Sequence, residues 1–184
     1  MASGVGAQPN LNGEYFFLII PDKYGYRLAY KNTTKEIGLW EHVPKGQSVK
    51  RWKEMVTQLH IKNPGAISAK KYARALVDMS SRKCAECEGH IEASRRYEGF
   101  QQVHYSSYIP ITEGDLKPEW LIGVVMKGRD GIYLGIKAWR YQPSKEERDT
   151  WRALLERAYV CDTRRASKQC DLSKFGDEEI ILLD

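Results

Sequence analysis

Cysteine is the residue type that most narrows the chemistry open to this chain. There are four, Cys84, Cys87, Cys161 and Cys170, in two local pairs, CAEC and CDTRRASKQC. Both pairs lie in polar sequence just after predicted helices, where a buried structural thiol would not normally sit. Paired thiols in loops favour disulfides and hence an oxidising compartment. Closing the loop from Cys161 to Cys170 contributes about 2–3 kcal/mol by loop entropy, and Cys84 is free to pair with Cys87 or elsewhere. A zinc site using Cys84, Cys87, Cys161 and Cys170 is the alternative, but zinc knuckles favour two C-x2-C pairs and the second pair here is C-x8-C. A redox role for CAEC is disfavoured. A reactive CxxC sits at a helix N-terminus, whereas this one follows a helix C-terminus and is flanked by Glu86 and Glu88, which oppose the thiolate.

The other reactive types are dispersed. His42, His60, His90 and His104 have no helical metal spacing and no catalytic neighbour. No G-x-S-x-G elbow, P-loop or dinucleotide fingerprint occurs. The stretch Lys127-Gly128-Arg129-Asp130-Gly131 looks at first like a phosphate loop. It joins two strands without a helix N-terminus to hold an anion, so it reads as a hairpin turn. Glu146 and Glu147 belong to the first turn of a helix, where negative charge suits the dipole. No catalytic set, cofactor or metal site is therefore expected beyond the zinc alternative; a hydrolase with an unrecognised site is the remaining enzymatic option. A cluster of aromatics, Tyr105, Tyr108, Tyr133, Trp139 and Tyr141, falls on or beside the strands expected at the centre of the sheet. Left uncovered, these rings would form a surface for a protein partner whose identity the sequence does not name.

Those residues need elements to position them. Residues 14–20, 26–30 and 36–43 read as three strands with short turns, the first buried on both faces. Ser48 caps a predicted short helix over residues 48–55, with Trp52, Met55 and Val56 on one face, and a strand follows to residue 61. A second helix runs over residues 68–81, with Ala69, Tyr72, Ala73, Leu76 and Met79 inward. Strands follow over residues 91–97 and 100–109. A hairpin then sets the row Trp120, Ile122, Val124 and Met126 against Ile132, Leu134, Ile136 and Ala138. Ser144 with Glu147 makes a capping box, and Trp151, Leu154, Leu155 and Ala158 give the third helix its apolar stripe. Strands in meanders with interspersed helices mean an α+β fold with a mainly antiparallel sheet flanked by helices. One domain over residues 14–170 is expected, between a leader over 1–13 and a tail over 171–184 whose residues 180–183 form an apolar run.

Composition excludes some partners. The chain has 184 residues, 42% of them hydrophobic, enough for one ordinary core. Its net charge of +5 is spread among interleaved acids and bases, without the basic face of a nucleic-acid binder. No apolar run approaches a membrane span, and MASGVGAQPNLNG is not a signal peptide, so an export signal would have to be absent from this sequence.

The segments Y-R-L-A-Y, V-P-K-G-Q-S, V-K-R-W-K-E-M, G-I-Y-L-G-I-K-A-W-R and P-S-K-E-E-R-D-T-W, in that order, resemble small exported bacterial proteins with the PsbP-like α/β/α sandwich. The resemblance covers residues 14–162. It implies a non-enzymatic periplasmic or secreted factor, of the accessory or toxin-immunity type, acting by steric protein–protein contact. It transfers no functional residue to this chain, and the loop after Cys161 is not part of that general fold.

Overall fold

The alternation in residues 119–139 becomes the centre of a sheet. The computed structural model describes residues 13–97, 99–110 and 117–164; the expected leader up to residue 12, Cys170 and the tail lie outside them. In chain order the elements are β1 (Glu14–Phe17), a 3-10 turn (Asp22–Tyr24), β2 (Tyr26–Thr33), β3 (Ile37–Pro44), β4 (Glu54–Lys62) and α1 (Ala69–Ser81). Then come β5 (Glu88–Tyr97), β6 (Phe100–Ile109), β7 (Glu119–Lys127), β8 (Gly131–Trp139), α2 (Lys145–Glu156) and β9 (Tyr159–Asp162). Seven strands form one antiparallel sheet in the order β2-β3-β4-β8-β7-β6-β5, and β1 pairs with β9 in a separate ribbon. The fold is α+β, a mainly antiparallel sheet with helices on both faces. Among the described residues no helix is long and apolar enough to cross a membrane.

Both faces of the sheet are covered, and this decides what each strand residue does. Ala69, Ala73 and Val77 of α1 pack against Val103, Tyr105, Val125, Ile132 and Leu134. On the opposite face Trp151 and Leu155 of α2, with Phe16 and Val160 of the ribbon, pack against Trp40, Val56, Ile122, Val124, Met126, Tyr133 and Trp139. The register of β7 and β8 pairs Trp120 with Trp139 and Met126 with Tyr133. The row beginning at Trp120 therefore faces α2, while Ile132, Leu134 and Ala138 point to the other side. The two rows expected to share one inner face line opposite faces, because each face has its own helix to bury.

Two further expectations are corrected. Residues 48–55 are not helical: Ser48 and Arg51 bridge in a tight turn, and β4 begins at Glu54. The Gln47 side chain accepts from the amides of Lys53 and Glu54, 2.6 and 3.3 Å, satisfying the groups a helical turn would have used. Met55 and Val56 then point to opposite faces, as alternation in a central strand requires. The stripe of α1 is also rotated from the expected one. Val77 and Ser80 are buried, and Met79 is 56% exposed. Small residues at i, i+4 and i+8 let the helix lie close to the sheet.

Two of the three predicted caps form. Ser68 accepts from the Lys71 amide, and Ser144 and Glu147 complete a reciprocal capping box, satisfying amides that would otherwise lack partners. The C-terminal end of α2 is tied to β5 and β6, where Arg95 donates to Gln102 and to the Glu156 carbonyl.

Candidate binding cleft and the buried Lys137 box

Alternation along β8 places Tyr133, Gly135, Lys137 and Trp139 on the face that α2 covers, which buries a lysine completely. Lys137 Nζ lies 2.7 Å from Glu54 Oε2 and donates to the Tyr26 hydroxyl. The rings of Tyr26, Trp139 and Trp151 surround it, with centroids 4.9, 5.0 and 4.5 Å from Nζ. Aromatic faces and a carboxylate are what a desolvated ammonium needs. Burial lowers the lysine to about 8, with Glu54 pulling the other way. Burial would raise Glu54, but hydrogen bonds from Lys137 and Tyr26 hold it below its usual range. Burial is the largest single influence on both groups. At Glu54, whose side chain is 28% exposed, the hydrogen bonds and the Lys137 charge together outweigh it, whereas at the fully buried lysine the pull of Glu54 does not. Tyr26 is raised, by burial first and then by Glu54. The box thus ties β2, β4, β8 and α2 together through one charge. Its outer side is a depression of about 360 Å³, lined by Tyr24, Glu54, Glu147 and Trp151 among others.

Further along the same face the interior stays polar. Gln58 is fully buried, and neither polar atom of its amide has a partner among the described residues. His60 stacks on Tyr133 at 4.3 Å, and burial holds both His42 and His60 down to about 4, keeping them neutral. Among the described residues no three His, Cys, Asp or Glu side chains are grouped to hold a metal ion.

The turn at residues 127–131 binds an anion after all, one from its own chain. Glu14, at the start of β1, receives the amides of Arg129 and Asp130 on its two carboxylate oxygens, at 2.6 and 2.7 Å, and the Tyr133 hydroxyl at 3.2 Å. A Cβ on Gly128 would come within 2.2 Å of this carboxylate, so glycine is needed there for space. Gly131 does not take the positive φ that glycine often supplies in a hairpin turn; a Cβ there would meet the His60 ring at 2.3 Å. The sequence carried the loop but not its occupant, which lies over a hundred positions away in the chain.

An open cleft of about 280 Å³ lies between α2 and the β5 end of the sheet. Its floor is aromatic: Tyr108 and Trp120 stack with centroids 4.4 Å apart, and Trp139 lies beside Trp120 across the strand pair. Arg148 and Arg152 line it from α2. Arg152 is committed, meeting Glu92 through two bonds of 3.0 and 2.8 Å. Arg148 donates to the Pro143 carbonyl and has no carboxylate within ion-pair distance among the described residues. The buried Trp139 Nε1 likewise has no acceptor there.

The candidate aromatic surface is reduced by these placements. Tyr105 is buried under α1, and Tyr133 and Trp139 are fully buried beneath the ribbon and α2. Tyr108 and Tyr141 stay partly exposed, and Tyr141 donates to Glu147 at the head of α2. Two-sided burial, invisible in a single alternating strand, is the reason. Trp120 and Arg148 belong to the cleft and were not singled out. Their signal was the cross-strand position of Trp120 next to Tyr108 and the exposed face of the capped helix.

Cys84 and Cys87 are bonded to each other, with Cα atoms 5.1 Å apart. Cys161 is buried against Phe17 and Tyr159 on the ribbon and is disulfide-bonded; its expected partner, Cys170, lies outside the described residues. The ribbon and α1 cover opposite faces, so Cys161 does not converge with Cys84 and Cys87 on one site.

No protein-family model matches this chain, and no curated protein matches it. Among solved structures the chain is similar to the solution structure of cyanobacterial PsbP (CyanoP) from Synechocystis sp. PCC 6803, at 12% identity and a TM-score of 0.42, over 88% of this chain and 98% of that one. The likeness is a weak PsbP-like resemblance of fold.

Proposed function

We propose that this chain is a non-enzymatic binding protein that acts by steric contact with a protein partner, as accessory or immunity factors of the bacterial periplasm or exterior do. The cleft beside α2 carries the reading. It combines partly exposed aromatic surface, Tyr108 and Trp120, with an Arg148 guanidinium that has no carboxylate partner among the described residues. Tyrosine, tryptophan and arginine are the residue types that dominate binding energy at protein interfaces. The fully buried ammonium of Lys137 is by contrast already paired with Glu54. The Cys84–Cys87 disulfide supports an oxidising compartment, since such bonds do not persist among cytosolic reductants.

The test is site-specific photocrosslinking in the cells that make the protein. A photoreactive residue at position 108 should give one discrete protein adduct, and one at position 70, on the exposed side of α1, should give none. Adducts of equal yield from both positions, or from neither, would overturn the reading.

A further inference from the structure

We infer that the cleft takes the C-terminal residue of a polypeptide, with an apolar side chain on the Tyr108–Trp120 floor and the terminal carboxylate on Arg148. This rests on the protein-binding reading and adds the chemistry of what is bound. Three observations converge. First, the floor is made of ring faces, which gain most from a flat or branched apolar group. Second, the cleft holds the Arg148 guanidinium, whose bond among the described residues is to the Pro143 carbonyl, so further donors of its planar fork face no carboxylate. A ligand that brings two acceptor oxygens in one plane matches that fork. Third, the remaining charges limit the anion. Arg152 is neutralised by Glu92 and Asp149, and Glu88 stands at the rim 3.8 Å from His90. One guanidinium without a carboxylate partner suits a planar monoanion; a phosphate dianion would carry its second charge toward Glu88.

Size selects among carboxylates. About 280 Å³ is at the small end of ligand cavities and accommodates one residue with little else. The side-chain carboxylate of Asp or Glu carries no apolar body of its own. A chain terminus supplies both within one residue, an apolar side chain and a carboxylate on the same Cα.

N-acetylphenylalanine, which presents such a terminus, and N-acetylphenylalanine amide, which presents the same residue without the charge, are the probes. Binding to the full chain is followed by indole NMR signals, with Trp52, in a separate cluster, as the internal control. The acid should shift the Trp120 and Trp139 signals and bind at least tenfold more tightly than the amide. Arg148→Gln should abolish that preference and Arg148→Lys should restore part of it, both with unaltered thermal midpoints. Equal affinity for acid and amide, a preference that survives Arg148→Gln, or no shift at either tryptophan overturns the inference. A position-108 adduct obtained alongside any of these results leaves the protein-binding reading standing. Acid-selective binding without a protein adduct shows the reverse.

Discussion

Replacing Glu54 by glutamine should destabilise the protein by an amount that grows as the pH falls. At pH 7 the lysine is charged, its value of about 8 having been set by burial. Without the carboxylate the buried ammonium escapes by losing its proton, and from pKa 8 that costs about 1.4 kcal/mol at pH 7. Weakening the hydrogen bonds that Glu54 accepts from Lys137 and Tyr26 adds about 1–2 kcal/mol. Glu54→Gln should therefore cost about 2–3 kcal/mol at pH 7, about one more at pH 6, and only the hydrogen-bond part at pH 9. Lys137→Met removes one partner, but the carboxylate left behind is 28% exposed and stays partly hydrated. The loss should therefore stay below about 2 kcal/mol, short of the cost of breaking a fully buried pair from one side. The sign of the wild-type profile follows from linkage. The folded lysine titrates near 8 and the unfolded one near 10.5, so the unfolded chain holds more protons between these values and stability rises with pH there. That rise should begin at about pH 8 and be absent in Lys137→Met. Above about pH 10 it is opposed by Tyr26, Tyr105, Tyr133 and Tyr141, whose raised values make the unfolded chain ionise first. The lowered Glu54 adds its own dependence only in the acid range below. Urea unfolding of wild type and both variants at pH 6, 7 and 9 is the assay. A Glu54→Gln penalty independent of pH, or a Lys137→Met loss above 2 kcal/mol at every pH, would refute the reasoning.

Gln58→Met exchanges an amide with no partner among the described residues for an apolar side chain of similar size and should stabilise the chain by about 1–2 kcal/mol in the same assay. A loss of that size would mean ordered water satisfies the amide. Ser144→Ala deletes one half of the capping box and should cost about 1 kcal/mol by thermal unfolding. Glu14→Ala should cost about 2–3 kcal/mol and expose the Arg129 and Asp130 amides to hydrogen exchange. Adding Gly128→Ala to Glu14→Ala should cost less than Gly128→Ala alone, because the carboxylate it would strike is gone. Protein alkylated directly in its native compartment should show no free thiol at Cys84 or Cys87.

Local signals in the sequence were reliable where the chain's own backbone decides the outcome. The Ser144–Glu147 box, the Ser68 cap and the β7–β8 hairpin all rest on residues within a few positions of one another, and all three form. Trp52, Met55 and Val56 show the limit. Their spacing fits a helix, but the β-branched run after them and pairing with β3 and β8 on either side make the segment a central strand. The Lys137 box was hidden for a different reason. Alternation in I-Y-L-G-I-K-A-W does place the lysine in one row with Tyr133 and Trp139, but a lone strand does not reveal that α2 closes over that row. The same missing layer decides that Tyr105, Tyr133 and Trp139, candidates for a surface if left uncovered, are core. Glu14 in the 127–131 turn depended on contacts between distant parts of the chain, which no local pattern encodes.

The most direct test of the binding role is the indole NMR spectrum of the full chain on adding the partner captured at position 108. The Trp120 and Trp139 signals should move together as the cleft fills, while Trp52 stays in place. Changes confined to Trp52, with Trp120 and Trp139 unmoved at saturation, would contradict the assignment of this cleft as the binding site.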